Sequence, residues 1–591
     1  MTALALLTKP FRLALVLGLS WSLGAGPALS QADAPLGTPG ERPVGFDIPA
    51  IHQPVVAHHG MVSSQSELAS QAGVEVLKAG GNAVDGAVAV GFALAVTLPA
   101  AGNIGGGGFM LIYDPKSRET TSVDFKEKAP GAASRDMFIK PDGSVDRDAI
   151  NNTRKGVGVP GTVAGLLAAH SRYGKLPLAK VLAPAIRLAD EGFVVTDDFS
   201  ESLGVWGKRL RGPEASKIFD RPDRRPLQPG QKLVQKDLAW SLRQIASGGA
   251  DAFYKGEIAR RIAADQKAHG GLITEKDLAD YKAVWRTPVR GEYRGYELQF
   301  MPPPSSGGIH IVQILNVLGH YRMKDLGQNS AASLHLMIEA MRQAYADRSA
   351  FLGDPDFVKI PTDNLTSKEY GNKTAAEIPL NRARKSSEVR PSGGVPHEGN
   401  ETTHYSVVDQ YGGAVSTTYS LNYGYGTGIV AKGTGILLNN VMDDFSAQAG
   451  TPNGYGLVGG DANAIAPGKR PLSSMTPTMI FKDGKPYIVT GSPGGSRIIT
   501  TVLQQLINTI DYDMNIAEAN AAPRIHHQWQ PDLVYLEPGI NKDTVDILKS
   551  MGHLIDDQRV TMGSVQTVMS KGGLFYGSAD PRQPGAGAVG Y

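Results

Sequence analysis

The run Asn400-Glu401-Thr402-Thr403-His404-Tyr405-Ser406 divides the chain into two kinds of sequence. Upstream, from Lys385 to Gly399, the composition is polar and turn-rich, with Pro391, Pro396 and several glycines, as an exposed loop requires. Downstream, Thr402 to Val408 and Ala414 to Leu421 are rich in β-branched and aromatic residues, and Asp409 to Gly413 supplies turn chemistry between them. The pattern predicts a hairpin. A loop of three or five residues sets Val408 opposite Ala414 and, counted outward, Thr402 opposite Ser420, whereas a four-residue loop breaks that pairing. Opposed residues have Cβ atoms about 4.5–5.5 Å apart, which brings the two hydroxyls within reach of a shared hydrogen bond.

A threonine that opens a strand is in most proteins no more than a good β-former. It becomes a nucleophile when a neighbouring base takes its proton, and one such base is its own α-amino group, which titrates near about 7.7–8.0. That base exists only if the Glu401–Thr402 bond is cut. A turn-rich loop running into the first residue of a strand is a place where such a cut could occur.

The run from Thr402 to Ser406 resembles the start of the small subunit of the γ-glutamyltranspeptidases, a family of N-terminal-nucleophile hydrolases. The resemblance continues through Leu437-Leu438-Asn439-Asn440, Met442-Asp443-Asp444-Phe445-Ser446, Pro471-Leu472-Ser473-Ser474-Met475 and Gly491-Ser492-Pro493-Gly494-Gly495-Ser496-Arg497. Upstream it includes Gly80-Gly81-Asn82-Ala83-Val84-Asp85 and Gly105 to Met110. It implies an α+β fold, a four-layer αββα sandwich of two stacked, mainly antiparallel sheets. It also implies a precursor that cuts itself into a large subunit, residues 31–401, and a small catalytic subunit, residues 402–591.

The implied reaction transfers a γ-glutamyl group from an amide such as glutathione, through a threonyl acyl-enzyme, to water or to an amino acid or peptide. By the same likeness Thr402 is the nucleophile, Gly494 and Gly495 form the oxyanion hole, and Ser420 supports the nucleophile from a position usually held by threonine. Asp444 matches the partner of the substrate ammonium, Ser473 and Ser474 the binders of its carboxylate, and Asn422 a further polar contact. Tyr455, between Ala449 and Gly460, matches a lid, while Arg524 and Arg582 match basic positions with a structural role. Two residues depart from the family pattern. Lys126 stands where an arginine normally grips the carboxylate, keeping the charge and losing the planar fork. Val441 stands where glutamine or glutamate normally faces the α-amine. Both changes fall on the amino-acid end of the pocket and neither on the chemistry.

Composition bounds these expectations. The chain has 591 residues, 41% hydrophobic and 20% charged, with a net charge of +2, which describes a globular protein and gives no reason to invoke nucleic acid. There is no cysteine, so disulfides and thiolate chemistry are excluded. Lys9 and Arg12 precede an apolar run from Leu13 to Leu23 and then small residues, the order of a secretory signal peptide over residues 1–30, implying a periplasmic or secreted protein. Helical spacing is predicted over Ser66 to Lys78, ending at Gly80-Gly81, and over Asp85 to Leu98, Val163 to Ser171, Leu178 to Asp190, Leu334 to Phe351 and Ile498 to Ile510. Pro302 to Gly308 reads as a loop and Lys485 to Thr490 as a strand. Gly105 to Gly108 lacks the Lys-Ser/Thr of a phosphate loop and reads as a close backbone approach. The histidine pairs His58-His59 and His526-His527 lack a third ligand at metal spacing, so no metal or cofactor is assigned. Two other readings stand beside the transferase: a glutaryl or cephalosporin-type acylase of the same fold, favoured by Lys126 and Val441, and an uncleaved periplasmic binding protein.

Overall fold

The structure, a computed structural model, describes residues 51–221, 223, 225–389, 401–448 and 460–591. The signal-peptide expectation and Tyr455 lie outside those residues. The hairpin forms as expected, with strands Glu401–Val408 and Ala414–Asn422 joined by a five-residue turn. Val408 faces Ala414 and Thr402 faces Ser420, with an irregularity between Glu401 and Thr402. Asp409 closes the turn: its Oδ1 accepts from the amides of Tyr411 and Gly413, both at 2.8 Å. Its Oδ2 accepts from the amide of Ala83 at 2.6 Å, which places the carboxylate on the first turn of a buried helix, where orphan N–H groups need acceptors.

The hairpin lies in the middle of a seven-stranded sheet. The order is Gly587–Gly590, Met61–Ser64, Glu401–Val408, Ala414–Asn422, Gly107–Asp114, Glu119–Asp124, Val284–Arg286, antiparallel throughout. A second seven-stranded antiparallel sheet runs Val55–Ala57, Leu574–Ala579, Gln566–Lys571, Lys485–Thr490, Thr478–Lys482, Tyr296–Phe300, Val289–Tyr293. The fold is therefore of the mixed α+β type.

Because side chains alternate along a strand, each face of the hairpin meets a different neighbour. Tyr405, Val407, Val415 and Tyr419 join a core built on the helices Glu67–Lys78, Ala83–Thr97, Thr162–Tyr173, Leu178–Glu191 and Lys236–Tyr254. Val408 and Ala414 join a second core with the other sheet and the helices Gly307–Leu318, Ala331–Phe351 and Arg497–Ile510. Thr402, His404 and Ser406 share the face of Val408, and hydroxyls line the seam between sheets. Ser406 Oγ donates to Gln566 O at 2.9 Å and Ser416 Oγ to Thr490 O at 3.1 Å, so the polar groups buried there are paired.

Helix boundaries follow local chemistry. The second helix begins at Ala83 rather than Asp85, because Asn82 accepts from the amides of Val84 and Asp85 while Asp85 accepts from the amide of Asn82, a reciprocal cap. Gly80, at φ 93°, follows the helix ending at Lys78 as a C-terminal glycine should. Gly105 to Gly108 is a close approach: a Cβ at Gly105 would sit 2.1 Å from Leu437 O. Ile499, Val502, Leu503 and Leu506 are buried as expected, and Ile510 at the helix end is only half-buried. The described residues cluster as one compact unit, so the expected division at residue 402 coincides with no gap in the packing.

Candidate active site

Thr402 is 4% exposed and sits at the meeting of two cavities. One is small and lined by Thr402, Ser420, Asn422, Asp444, Ser473, Met475 and Ile498. The other is a broad cleft of about 1000 Å³ that includes Trp206, Tyr425, Asp197, Glu201 and Arg582. The nominated residues Thr402, Ser420, Asn422, Asp444 and Ser473 thus converge on one enclosed space, although segments far apart in sequence carry them.

Each is held by its own local logic. The hydrogen bond expected between the hydroxyls of Thr402 and Ser420 does not form among the described residues. Instead Ser420 Oγ accepts from the amide of Asn422 at 2.7 Å, since Asn422 leaves the strand with φ 81° and folds its N–H back. The Asn422 side chain donates to Asn440 O at 3.0 Å, and Asn439 donates to the carbonyls of Gly105 and Gly158, both at 2.8 Å. These bonds fix the short 3₁₀ turn Val441–Asp444, on which Asp444 is carried. Val441 on the same turn is fully buried, so an apolar side chain occupies the departure from the family pattern.

Lys126 lies just beyond the strand Glu119–Asp124, its amide bonded to Asp124 Oδ1 at 3.0 Å and its carbonyl accepting from Tyr281 Oη at 2.8 Å. Its ammonium donates to Asp444 Oδ2 at 2.9 Å and lies 3.3 Å from Glu127 Oε2. All three side chains are buried. Burial raises the Glu127 carboxyl above its ordinary range, against the opposing pull of Lys126. Burial likewise pushes the neighbouring Asp443 up to about 7, despite Arg147 at 3.3 Å. The cation and anion expected to hold opposite charges of one substrate are therefore bonded to each other.

Gly494 and Gly495 adopt φ of 130° and 58°, a path side chains disfavour, just before the helix Arg497–Ile510. Neither amide donates a hydrogen bond among the described residues, while their carbonyls accept from Arg497 at 3.1 Å and Ile498 at 3.0 Å. Ile498 lines the small cavity, so the loop borders it. Beneath lies His404, packed against Gly491, with Nδ1 2.8 Å from Thr418 Oγ1 and Nε2 3.1 Å from Ser406 Oγ. Burial drives its imidazole down to about 3, so it stays neutral.

Behind the cavity is a wall that the sequence marked only as a loop. Ser306 bonds Ser473 O through its amide at 2.7 Å and its hydroxyl at 3.0 Å, and Ser305 Oγ donates to Met475 O at 2.7 Å. Arg348, buried on the helix Ala331–Phe351, donates from Nε to Ser306 Oγ at 3.0 Å and from Nη2 to Ser474 Oγ at 3.2 Å.

With this geometry in view, the family model for γ-glutamyltranspeptidase matches residues 69–590. The chain belongs to that family. It is 53% identical over 572 residues to the glutathione hydrolase proenzyme of Escherichia coli (strain K12), spanning 96% of this chain and 98% of that protein. Among solved structures, the cephalosporin acylase from Bacillus halodurans superposes with a TM-score of 0.80 at 28% identity, covering 93% of this chain and 99% of that one. The γ-glutamyltranspeptidase of Helicobacter pylori superposes with a TM-score of 0.54 at 45% identity, over 55% of this chain and 93% of that one.

Other nominated residues also find places. Arg524 bonds Asp580 and Arg582 bonds Glu537 and Asp580, a buried network at the edge of the broad cleft, in keeping with a structural role. No metal was assigned from the sequence. Among the described residues His335, Glu339 and His553 come together, and all but His553 Nδ1 of their side-chain nitrogens and oxygens have partners. His335 uses its ring nitrogens on His553 at 2.8 Å and Pro379 O at 2.7 Å, and Glu339 is held by Arg342 and Arg384. No helix among them is long and apolar enough to cross a membrane.

Proposed function

We propose that this chain is a self-processing γ-glutamyltransferase and hydrolase, acting on γ-glutamyl amides such as glutathione through Thr402. The observation that carries the reading is the convergence of Thr402, Ser420, Asn422, Asp444 and Ser473 on one small cavity in a member of this family. In this reading the Thr402 hydroxyl first attacks the carbonyl of Glu401. Hydrolysis of the resulting ester leaves a carboxylate at Glu401 and a free amine at Thr402. That amine then takes the Oγ1 proton as the hydroxyl attacks the γ-carbonyl of a substrate. The amides of Gly494 and Gly495 receive the developing oxyanion, where preorganised donors are worth most. The ammonium returns its proton to the departing amine, and water or an acceptor amine reverses the sequence on the acyl-enzyme.

The small cavity takes the glutamyl group. Asp444 lines it and Lys126 bonds Asp444, so opposite charges lie side by side next to the cavity, the complement of an α-amino acid, whose ammonium and carboxylate are also adjacent. Ser473, Ser474 and Asn422 add neutral hydrogen bonds. The broad cleft on the other side of Thr402 receives the leaving or accepting amine. The fold in this reading is the four-layer αββα sandwich of N-terminal-nucleophile hydrolases, with residues 31–401 and 402–591 as its two subunits. The protein is exported to the periplasm or secreted after removal of residues 1–30. The relative's name, a glutathione hydrolase proenzyme, supports both the substrate and the processing.

Val441 favours a second reading, an acylase with less demand for the α-amine, and the likeness to a cephalosporin acylase accords with it. Turnover of a γ-glutamyl anilide against its glutaryl counterpart separates the two, with the γ-glutamyl substrate expected to lead. Thr402→Ala is expected to fold, remain a single chain and turn over neither substrate. A Thr402→Ala protein that still cleaves itself or its substrate overturns the assignment.

A further inference from the structure

A guanidinium carries donors and no lone pair, so every hydroxyl it touches must accept from it. Among the described residues Arg348 touches two, Ser306 Oγ at 3.0 Å and Ser474 Oγ at 3.2 Å, from a side chain only 1% exposed. Ser306 spends its own proton on Ser473 O at 3.0 Å, so its contact with Arg348 completes a tight junction between the Pro302–Gly308 loop and the serine pair. Ser474 differs. No bond donated by its hydroxyl is found among the described residues, and Arg348 occupies one of its two lone pairs. Its proton can therefore serve an acceptor that enters beside Ser473, which lines the cavity.

Two neighbours make this contact count. Lys126, the cation at the family's carboxylate position, is committed to Asp444 at 2.9 Å. His310, which lies on the next helix and bonds Ser306 O at 2.7 Å, is held neutral by burial and by the Arg348 charge, so it adds no second cation. The helix Ala331–Phe351 that carries Arg348 also grips the other side of the site, since Tyr345, one turn before Arg348, donates to the carbonyl of Ser496 in the glycine loop.

We propose that Arg348 is a positioning residue for the carboxylate of the acyl donor: acting through Ser474, it fixes the hydroxyl as a donor and supplies the positive potential that Lys126 shares with Asp444. The proposal rests on the reading of the small cavity as the glutamyl pocket. It requires that Arg348 matter for substrates carrying that carboxylate and for no others.

Three anilides separate the roles: γ-glutamyl has carboxylate and amine, glutaryl keeps only the carboxylate, and 4-aminobutanoyl keeps only the amine. In the mature full-length protein, Arg348→Gln is expected to raise KM for the γ-glutamyl and glutaryl substrates roughly ten- to a hundredfold, the range set by one charge-assisted hydrogen bond. KM and kcat for the 4-aminobutanoyl substrate are expected to stay as they are. Self-cleavage, which involves no such carboxylate, is expected to proceed and reports that the variant folds. Should Arg348→Gln not mature, Arg348→Lys carries the same comparison with a smaller, several-fold rise on the carboxylate substrates alone. Equal loss on all three substrates, or no change on any, overturns the proposal. Failure of the wild-type protein to turn over any of them overturns the reading of the pocket instead.

Discussion

The ion pair of Lys126 with Asp444 shows what a single replacement does inside a buried site. A lysine keeps the charge of an arginine but concentrates it at one point, and here that buried point bonds Asp444 and approaches Glu127. Lys126→Met is expected to remove the cation beside two buried carboxylates and cost about 3–5 kcal/mol in denaturant unfolding; a loss below about 1 kcal/mol contradicts the network. His404 gives a prediction in pH. The unfolded imidazole binds its proton near 6.5 and the folded one only near about 3, so the stability His404 contributes is full above pH 6.5 and is lost as pH falls through that window. Relative to His404→Gln, the wild type is expected to lose about 1.4 kcal/mol per pH unit between those limits. Parallel pH profiles contradict a buried neutral histidine. The pairing of Thr402 with Ser420 was legible because turn length and period-two alternation fix register. Arg348 was not, since a lone arginine within a helical pattern carries no local sign of the serine it reaches.

At the scale of elements, short-range chemistry wrote most of the boundaries. The hairpin, the strand Lys485–Thr490 and the helix after the glycine loop follow from composition and spacing. The start of the helix Ala83–Thr97 follows from its cap, and Asn82→Ala is expected to cost about 1 kcal/mol in thermal or denaturant unfolding. An unchanged midpoint contradicts the reciprocal cap. The loop Gly491–Ser496 was legible as glycine-rich and the loop Pro302–Gly308 only as a break; that the second braces Ser473 depends on a parallel bridge between Ser305 and Ser473, a contact no local pattern encodes. Gly495→Ala, at φ 58°, is expected to distort the path of the glycine loop and lower kcat by about 10²–10³-fold while the protein still folds. A variant with full kcat contradicts the oxyanion role.

Across the whole molecule, the sheets interleave what lies before and after Thr402. In the first sheet, Met61–Ser64 and Gly107–Asp114 flank the hairpin from either side, and Gly587–Gly590 closes one edge. In the second, Tyr296–Phe300 pairs with Thr478–Lys482. Strand order of this kind joins segments hundreds of residues apart, and loop-closure costs vary too slowly with length for the sequence to declare it. The same interleaving would let a chain cut between Glu401 and Thr402 remain one body: neither seven-stranded sheet is complete within one part alone. The central claim is that the working protein is a cut one, with a threonine amine made by the cut. Its most direct measurement is N-terminal sequencing with intact mass on the purified, active protein. The account predicts two chains in equal amounts, the smaller beginning Thr-Thr-His-Tyr-Ser from Thr402; an active protein that reads as a single chain continuous through Glu401–Thr402 contradicts it.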